Sequence, residues 1–250
     1  RSRATARVTP MLYRRLYPRA DRVICQSQAM ADELARELAL KPERISVLRN
    51  PVDLDGVRME AQRSAIQPSG YGPHLLAVGR LSHEKGFDML LRAVNALRAW
   101  FPSITLTIAG SGPEEEALHE LARALGMTAV VKFLGRVNSP AAYFGAADVF
   151  VLSSRHEGMP NALLEAAAAG LPIVATPAAG GVPELLASRQ GVWMADAVSC
   201  EALMRALRHA LMVLTPEKRF AHEWVEEFAL KPAIAAYEAL IEEELAMAAG

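Results

Sequence analysis

Short apolar segments alternate with helical segments along residues 74–194, and this alternation restricts the possible folds more than any other feature of the sequence. The predicted strands are His74–Gly79, Ile104–Gly110, Val130–Leu134, Asp148–Leu152, Pro172–Ala175 and Gly191–Met194. The predicted helices between them are Gly86–Phe101, Pro113–Leu125, Pro140–Ala146, Pro160–Ala169 and Val182–Ala187. Apolar strands separated by helices are typical of a parallel sheet covered on both faces. The sequence therefore predicts an α/β fold with a doubly wound parallel sheet.

Less regular segments flank this region. The predicted elements before it are a helical stretch at residues 3–17, strands at Asp21–Gln26 and Ile45–Leu48, and a helix that Ser27 caps and that ends near Leu40. Residues 61–73 are polar and rich in Ser, Gly and Pro, which predicts a loop. Two long helical stretches follow, about Ser199–Leu214 and Pro216–Leu245, and we expect Trp224, Phe228 and Tyr237 to anchor the last one by packing.

The loop and helix after the fourth strand of the sheet carry the most informative motif, residues 154–166. Proline is favoured at the first position of a helix, so we predict that Pro160 opens a helix. The N–H groups of Asn161 and Ala162 then have no acceptor inside the helix and form a site suited to phosphate. Glu157 before the helix and Glu165 within it could accept hydrogen bonds from sugar hydroxyls. An ordinary loop-to-helix turn with a solvated Glu165 is the alternative interpretation.

The other strand-end loops support a phosphate site, because ligands of such sheets bind at the carboxyl ends of the strands. The first loop, residues 79–86, contains Arg80 and Lys85, which could supply the positive charge that a diphosphate needs. The remaining loops contain glycine together with a charge or a proline: residues 110–113, 135–137 and 180–184. Arg80 or Lys85 alone could be a plain surface cation, but five converging loops favour a binding site.

Composition excludes several classes of protein. The chain of 250 residues is 52% apolar and 22% charged with a formal net charge of −1, which indicates a soluble globular protein and gives no sign of nucleic-acid binding. The first twenty residues carry six arginines and no acid, which indicates a solvated helix face or, alternatively, a surface for anionic lipid or an anionic acceptor. Cys25 and Cys200 form no disulfide framework and suggest a reducing compartment.

No signal peptide or membrane span is predicted, since the longest uncharged run, Ala166–Val182, is interrupted by glycine and proline. Because the sequence begins with Arg1 instead of methionine, we also expect it to be part of a longer protein. The expected location is the cytoplasm, with peripheral contact at the inner face of the membrane as an extension of that hypothesis.

Five motifs in series resemble those of the family-4 glycosyltransferases. They are Gly-Arg-Leu-x-x-x-Lys-Gly, Gly-Ser-Gly-Pro, Phe-Leu-Gly-Arg-Val, the Glu-x7-Glu pattern that joins Glu157 to Glu165, and Gly-Gly-Val-Pro-Glu. Each motif is weak alone, but the order and spacing of all five are specific, and the resemblance covers about residues 20–245. Members of this family are retaining, nucleotide-sugar-dependent enzymes with two facing Rossmann-like domains.

The resemblance implies roles for individual residues. Arg80 and Lys85 resemble the pair that binds the donor diphosphate and steadies the leaving group. Glu157 resembles the glutamate that contacts the transferred sugar, and Glu165 the one that holds the ribose hydroxyls. The other positions that the resemblance assigns to donor binding are Gly110, Gly135, Arg136, Val137, Asn161, Ala162 and Leu164. The family implies no metal or other cofactor, and neither His83 nor His156 is assigned as a catalytic base.

The resemblance also implies a domain organisation and a function. Residues 1–50 would be the end of an N-terminal acceptor domain, 51–73 a linker, 74–228 the donor-binding domain and 229–250 a helix that returns towards the N-terminal domain. The chain would be the donor-binding part of an enzyme that transfers a sugar from a nucleoside-diphosphate sugar to an acceptor hydroxyl, in cell-surface polysaccharide or glycolipid synthesis. Its expected partners are the donor, an acceptor sugar or lipid-linked sugar, and the N-terminal domain, without which the chain should be inactive.

Three other functions are compatible with an α/β fold of this kind. A dinucleotide-binding oxidoreductase needs Gly-x-Gly-x-x-Gly after its first strand, whereas the corresponding loop here begins Gly-Arg-Leu-Ser-His-Glu. A nucleotide-sugar epimerase or phosphorylase of related fold, and a non-catalytic nucleotide-sugar binding module, remain alternatives.

Overall fold

A parallel sheet forms the centre of the computed structural model, which describes residues 12–64, 66, 72–215 and 219–249. Within these ranges the sheet has six strands: β3 (His74–Val78), β4 (Thr105–Ala109), β5 (Val131–Phe133), β6 (Val149–Leu152), β8 (Ile173–Ala175) and β10 (Val192–Met194). Two strands of the N-terminal part, β1 (Val23–Cys25) and β2 (Ile45–Val47), pair with each other, as do the two-residue strands β7 (His156–Glu157) and β9 (Ala179–Gly180). The predicted α/β class is therefore confirmed.

Helices cover both faces of this sheet, and further helices belong to the N-terminal part and to the end of the chain. They are α1 (Gln28–Leu38), α2 (Leu54–Arg63), α3 (Phe87–Leu97), α4 (Glu115–Ala124), α5 (Ala141–Phe144), α6 (Asn161–Ala168), α7 (Val182–Leu186), α8 (Cys200–Val213) and α9 (Leu230–Ala249). Neighbouring strand residues alternate between two cores, because successive side chains of a strand point to opposite faces. Leu75 and Val149 pack with helices α3, α4 and α8, while Leu76 and Phe150 pack with α5, α6 and α7.

The strand order locates the position where a ligand can enter. The sheet runs β10-β8-β6-β3-β4-β5, and every pair in it is parallel. The chain builds β3, β4 and β5 outwards in one direction, then returns to place β6 on the other side of β3. The connections after β3 and β6 therefore leave the sheet towards opposite faces and open a crevice at the carboxyl ends of these two strands. We call this gap the switch-point crevice.

The N-terminal part contributes a small core of its own. The described residues of the predicted stretch 3–17 begin at residue 12, and residues 12–16 are helical, with Leu12, Tyr13 and Leu16 exposed beside Arg14 and Arg15. Further along, β1 and β2 are parallel and α1 connects them. The Ser27 hydroxyl accepts from the Met30 N–H at 3.2 Å and caps α1 as predicted. Residues 3–11 of the predicted helical stretch lie outside the described residues.

Helix α2 is absent from the sequence-based prediction, which assigned residues 51–73 to a linker and 61–73 to a loop. The Asp53 carboxylate accepts from the Gly56 N–H at 3.0 Å and caps this helix. The helix packs against α5 and α6, so the segment is attached to the sheet domain and does not simply span a gap. Residues 65 and 67–71 of the predicted loop lie outside the described residues. The division into domains at residues 50, 73 and 228 stays a prediction.

The predicted continuous helix from Pro216 to Leu245 is wrong. Residues 216–218 lie outside the described ranges, residues 219–222 are not helical, and Glu223–Phe228 form a 3-10 helix before α9 begins. Hydrogen bonds to other segments divide this region: the Phe220 N–H donates to the Gly170 carbonyl and the Val52 N–H donates to the Phe228 carbonyl. Phe228 is buried as expected, whereas Trp224 and Tyr237 are half-buried. No helix within the described ranges is both long and apolar enough to cross a membrane.

His222 is a buried histidine in this C-terminal crossing. Its Nε2 lies 2.8 Å from the Leu171 carbonyl oxygen, and the Trp224 indole N–H donates to its Nδ1 at 3.4 Å. A carbonyl can only accept, so Nε2 carries the proton and Nδ1 is free to accept from Trp224. Burial lowers the pKa of His222, although the bond to Leu171 acts in the opposite direction. The neutral ring is therefore the form that the fold favours.

We expect the wild-type chain to lose stability on acidification more steeply than the variant His222→Gln, whose amide offers one donor and one acceptor but does not titrate. An unfolded histidine has a pKa of about 6.5, so below that pH the unfolded chain binds a proton that the buried ring does not. The contribution of neutral His222 is complete above about pH 6.5 and is lost as the pH falls below it, at no more than about 1.4 kcal/mol per pH unit.

Urea unfolding at several pH values between about 7.5 and 5 measures this difference. The variant His209→Gln, on an exposed part of α8, is the matched control. If the free energy of unfolding falls with pH equally in the wild type and in His222→Gln, burial of this ring does not set the pH dependence.

Candidate functional site

Two loops that flank the switch-point crevice are fastened to each other. The Ser153 hydroxyl donates to the Lys85 carbonyl at 2.8 Å, and the Arg155 N–H donates to the Glu84 carbonyl at 2.7 Å. Gly86 has a positive φ of 63°, and a Cβ at this position would lie 2.1 Å from the Ser153 carbonyl oxygen. Only glycine permits this close approach. The loop after β3 therefore has a fixed position relative to the loop after β6.

Lys85 and Glu157 meet between these loops. The Lys85 ammonium group donates to Glu157 Oε2, and the Ser154 hydroxyl donates to the same oxygen at 3.0 Å. The two side chains retain 24% and 11% of their exposure, so the pair is sheltered but open to a ligand. The predicted site residues Lys85 and Glu157 are thus brought together at the carboxyl ends of the strands. Each could exchange part of this contact for a ligand: the ammonium for an anion, the carboxylate for a hydroxyl.

The loop after β8 lies beside Glu157. The Gly181 N–H donates to the Glu157 carbonyl at 3.1 Å, next to the β7–β9 pairing. A Cβ at Gly181 would lie 2.5 Å from the Gly158 carbonyl oxygen and 3.0 Å from the Ser27 Cβ. The Ala29 N–H, in the first turn of α1, donates to a Glu184 carboxylate oxygen at 3.4 Å. The N-terminal part therefore contacts the sheet domain at the same edge of the sheet as the switch-point crevice.

Two arginines line a cavity of about 470 Å³ that adjoins β3 and β4. We call it the arginine cavity; its lining residues are Val78, Gly79, Arg80, Ala109, Gly110, Ser111, Gly112, Arg136, Val137 and Pro140. Gly135 is connected to this lining, because its carbonyl accepts a hydrogen bond from the Gly110 N–H at 2.8 Å. Arg80 and Arg136 are exposed, and neither guanidinium has a hydrogen-bond or ion-pair partner among the described residues. The cavity therefore presents positive charge that is available to an anion.

Helix α6 begins one residue later than predicted. Pro160 has φ −84° and ψ 88°, outside the helical region, so it precedes the helix instead of occupying its first position. Its carbonyl accepts from the Leu163 N–H at 2.9 Å. Asn161 and Ala162 still form the first turn, where N–H groups have no acceptor within the helix. The Asn50 amide donates to Asn161 Oδ1 at 3.0 Å, which connects the helix start to the segment before α2.

Glu165 and Leu164 differ in exposure although they are neighbours. The Glu165 carboxyl is half-buried, and burial raises its pKa. It has no hydrogen-bond or ion-pair partner in the part of the chain that the structure describes. Leu164 is fully buried in the core beneath α6, so the structure gives no support to the expected contact between its side chain and a nucleoside. Helix geometry places Glu165 on the same face as Asn161, four residues earlier.

Arg155 and Asp88 form an ion pair that the sequence analysis missed. Arg155 Nη1 and Nη2 donate to the two Asp88 carboxylate oxygens at 2.8 and 2.7 Å, across 67 residues of sequence. The sequence around each residue gives no sign of the other, and the pair is visible only in the three-dimensional structure. Within the described ranges, no group of three or more His, Cys, Asp or Glu residues could hold a metal ion. His83 and His156 are both exposed.

Comparison with known proteins places this geometry in a family. The model of the family described as "Glycosyl transferases group 1" matches residues 72–212, and that of "Glycosyltransferase Family 4" matches residues 1–55. The chain is 32% identical over 187 residues to LpsE of Rhizobium meliloti, a lipopolysaccharide core biosynthesis glycosyltransferase, and the match covers 75% of this chain and 53% of LpsE. The chain spans about half the length of the curated relatives it matches.

Solved structures share the fold of this chain. Sucrose-phosphate synthase of Thermosynechococcus elongatus superposes with a TM-score of 0.80 at 20% identity, covering 99% of this chain and 65% of that chain. HepE of Anabaena, solved with UDP and glucose, superposes with a TM-score of 0.75 at 21% identity, covering 96% of this chain and 67% of that chain. The family match over residues 72–212 exceeds half of the sequence. The chain therefore belongs to the group 1, family 4 glycosyltransferases: it contains their C-terminal Rossmann-like domain and the end of their N-terminal domain.

Proposed function

We propose that this chain is the donor-binding part of a retaining glycosyltransferase that transfers a sugar from a nucleoside-diphosphate sugar to an acceptor hydroxyl. The observation that carries the proposal is the Lys85–Glu157 pair at the switch-point crevice. Beside it lies the arginine cavity, whose two arginines have no partner in the described part of the chain. A sheltered ammonium group can bind the diphosphate of a nucleotide sugar, and the adjacent carboxylate can accept hydrogen bonds from the hydroxyls of its sugar. The same position is where doubly wound sheets bind nucleotides.

In this proposal, cations and a helix start bind the diphosphate. Arg80 is free to make charge-assisted hydrogen bonds to phosphate oxygens, and Lys85 can share its ammonium protons between Glu157 and the diphosphate. The N–H groups of Asn161 and Ala162 add neutral donors with the favourable end of the helix dipole. Negative charge that develops on the departing diphosphate is stabilised by the same groups, and this is the catalytic contribution of the domain. With this positive charge, we expect no metal requirement.

Carboxylates and the remaining loops bind the rest of the donor. Glu157 is placed to accept from hydroxyls of the transferred sugar, and its bonds from Lys85 and Ser154 hold it in position. The half-buried Glu165 carboxyl gains hydrogen bonds when ribose hydroxyls donate to it, which offsets its burial. Gly110 and the segment from Gly135 to Val137 surround the base. Leu164 supports α6 from the core and takes no part through its side chain.

The acceptor and the cellular role form a further part of the proposal. The relative LpsE is named for lipopolysaccharide core biosynthesis, which supports a role in cell-surface polysaccharide or glycolipid synthesis. The acceptor is then a sugar or a lipid-linked sugar, and the N-terminal domain provides its pocket. We place the enzyme in the cytoplasm, at the inner face of the membrane. The exposed Leu12, Tyr13 and Leu16 beside Arg14 and Arg15 support peripheral contact with anionic lipid.

Thermal-shift measurements with UDP, GDP, ADP, the corresponding nucleotide sugars and NAD test donor binding. Parallel samples contain EDTA to remove metal ions. We expect stabilisation by one nucleoside diphosphate and its sugar that EDTA does not change. Stabilisation by NAD alone would contradict the proposal, because it would indicate a dinucleotide site.

A radiolabelled-donor assay tests the division of labour between the two domains. We expect the purified chain to bind donor without transferring sugar, since transfer needs an acceptor hydroxyl held about 3–3.5 Å from the reacting carbon and water excluded by a facing domain. Donor hydrolysis without acceptor is the background control. Acceptor-dependent turnover above that background would show that the facing domain is dispensable.

Replacing Arg80 should weaken binding of the nucleoside diphosphate far more than binding of the bare nucleoside. A charge-assisted contact to phosphate contributes about 1.5–3 kcal/mol, so Arg80→Ala should cost about tenfold to hundredfold in affinity for the diphosphate. Titration calorimetry with both ligands measures this. Lys132→Ala, at an exposed position on β5, is the control. Equal losses for the two ligands would mean that Arg80 acts through the fold.

The two glutamates should show different ligand patterns. Glu165→Gln should weaken every ribose-bearing ligand by about tenfold, because it removes a charged acceptor and preserves shape. Glu157→Gln should spare the free nucleoside diphosphate and weaken the sugar-bearing donor by a similar factor. Calorimetric titration of each variant with nucleoside diphosphate and with donor gives the four affinities. An identical pattern in both variants would contradict the assigned roles.

A further inference from the structure

We propose that Arg155 is a positioning residue that holds Lys85 in place for the donor diphosphate. The inference deepens the proposed function and rests on it for the identity of the ligand. Neither the sequence motifs nor the family resemblance assigned a role to Arg155. Its contacts connect three of the strand-end loops, and the Lys85 turn is the one that its side chain touches.

The side chain of Arg155 joins two neighbouring segments. Its guanidinium makes a two-point ion pair with Asp88, in the first turn of α3, at 2.8 and 2.7 Å. Nη1 also donates to the His83 carbonyl at 2.8 Å. His83 opens the 3-10 turn that ends at Lys85. One guanidinium therefore fixes the start of that turn against the helix that follows it.

The backbone of Arg155 extends the connection to a third loop. Its N–H donates to the Glu84 carbonyl at 2.7 Å, and its carbonyl accepts from the Ala179 N–H at 3.2 Å. The loops after β3, β6 and β8 thus meet at this single residue. The Ser153 hydroxyl bond to the Lys85 carbonyl, at 2.8 Å, completes the attachment of the turn.

These contacts matter because lysine is flexible. Its ammonium group sits on four methylene groups with freely rotating bonds, so it occupies a defined place only when its backbone is fixed and a partner receives it. Here the partner is Glu157, which comes from the same loop as Arg155. Without the Arg155 side chain, the turn loses its bond at the His83 carbonyl and its connection to Asp88. The backbone attachments remain, but Lys85 has more freedom to leave the position of the diphosphate.

Arg155 is not itself placed to bind the donor. Its guanidinium already donates to Asp88 and to the His83 carbonyl, whereas Arg80 has no such partner among the described residues. The pair is also partly exposed, with 25% and 41% of the side chains accessible, so it adds little to global stability. A loss of function without a loss of fold is therefore the expected signature.

The first test needs no ligand. Three single variants, Arg155→Ala, Arg155→Lys and Asp88→Asn, are each treated with an acetylating reagent. Peptide mass spectrometry then measures the acetylation rate of Lys85 relative to that of the exposed Lys132. We expect Lys85 to react severalfold faster in Arg155→Ala and at an intermediate rate in Arg155→Lys. The matched control is Arg205→Ala, which removes another arginine–aspartate pair, with Asp196 at 2.8 Å, away from the site. An unchanged Lys85 rate in Arg155→Ala would overturn the inference.

The second test uses whichever of UDP, GDP or ADP binds the wild-type chain most tightly, together with its nucleoside. Arg155→Ala should weaken the diphosphate about tenfold, the loss of one charge-assisted contact, and leave the nucleoside unchanged. In a Lys85→Ala background the same substitution should have no further effect, because Arg155 acts through Lys85. A full additional loss in that background would overturn the inference. Faster Lys85 acetylation with no binding of any nucleoside diphosphate would instead contradict the proposed function and leave the positioning of Lys85 supported.

Discussion

The parallel pairing of β3 with β6 is the constraint on which the rest of the structure depends. Leu75 lies opposite Val149 and Leu76 opposite Phe150, and these four side chains contribute to the cores on both faces of the sheet. Because the strands are parallel and adjacent, the loops that follow them emerge side by side. Lys85 and Glu157, separated by 72 positions in sequence, meet for this reason. Sheet topology therefore brings these residues to one edge, and contacts between the loops hold them there.

The strands were predictable because strands buried on both faces consist of nearly continuous apolar residues. Each of the six was predicted one residue too long at one or both ends, and the extra residues include Gly79, Asp148 and Pro172. Helix α2 was missed because its sequence is mostly polar and Leu54 is its one fully buried residue. The interruption before α9 was missed because long-range bonds from Phe220 and Phe228 determine it, and sequence periodicity does not contain them.

The candidate site was partly predictable for similar reasons. Order along the chain places Arg80, Lys85 and Glu157 at one edge once the sheet is known to be parallel. The buried position of Leu164 could have been inferred as well, because it follows Leu163 in a short apolar helix whose inner face must pack against the sheet. The Arg155–Asp88 pair could not, since each residue alone resembles an ordinary surface charge.

Because Gly181 has no side chain, the N-terminal part can approach the sheet domain closely at this position. It lies between the Gly158 carbonyl and Ser27, at the contact between the N-terminal part and the loop that carries Glu157. At this contact the N-terminal part and the sheet domain are therefore separated by only the backbone of Gly181. A larger residue there acts as a spacer that changes the approach of one part to the other while every charged group of the site is retained. A substitution at Gly181 therefore changes a distance within the molecule and leaves its reactive groups unchanged.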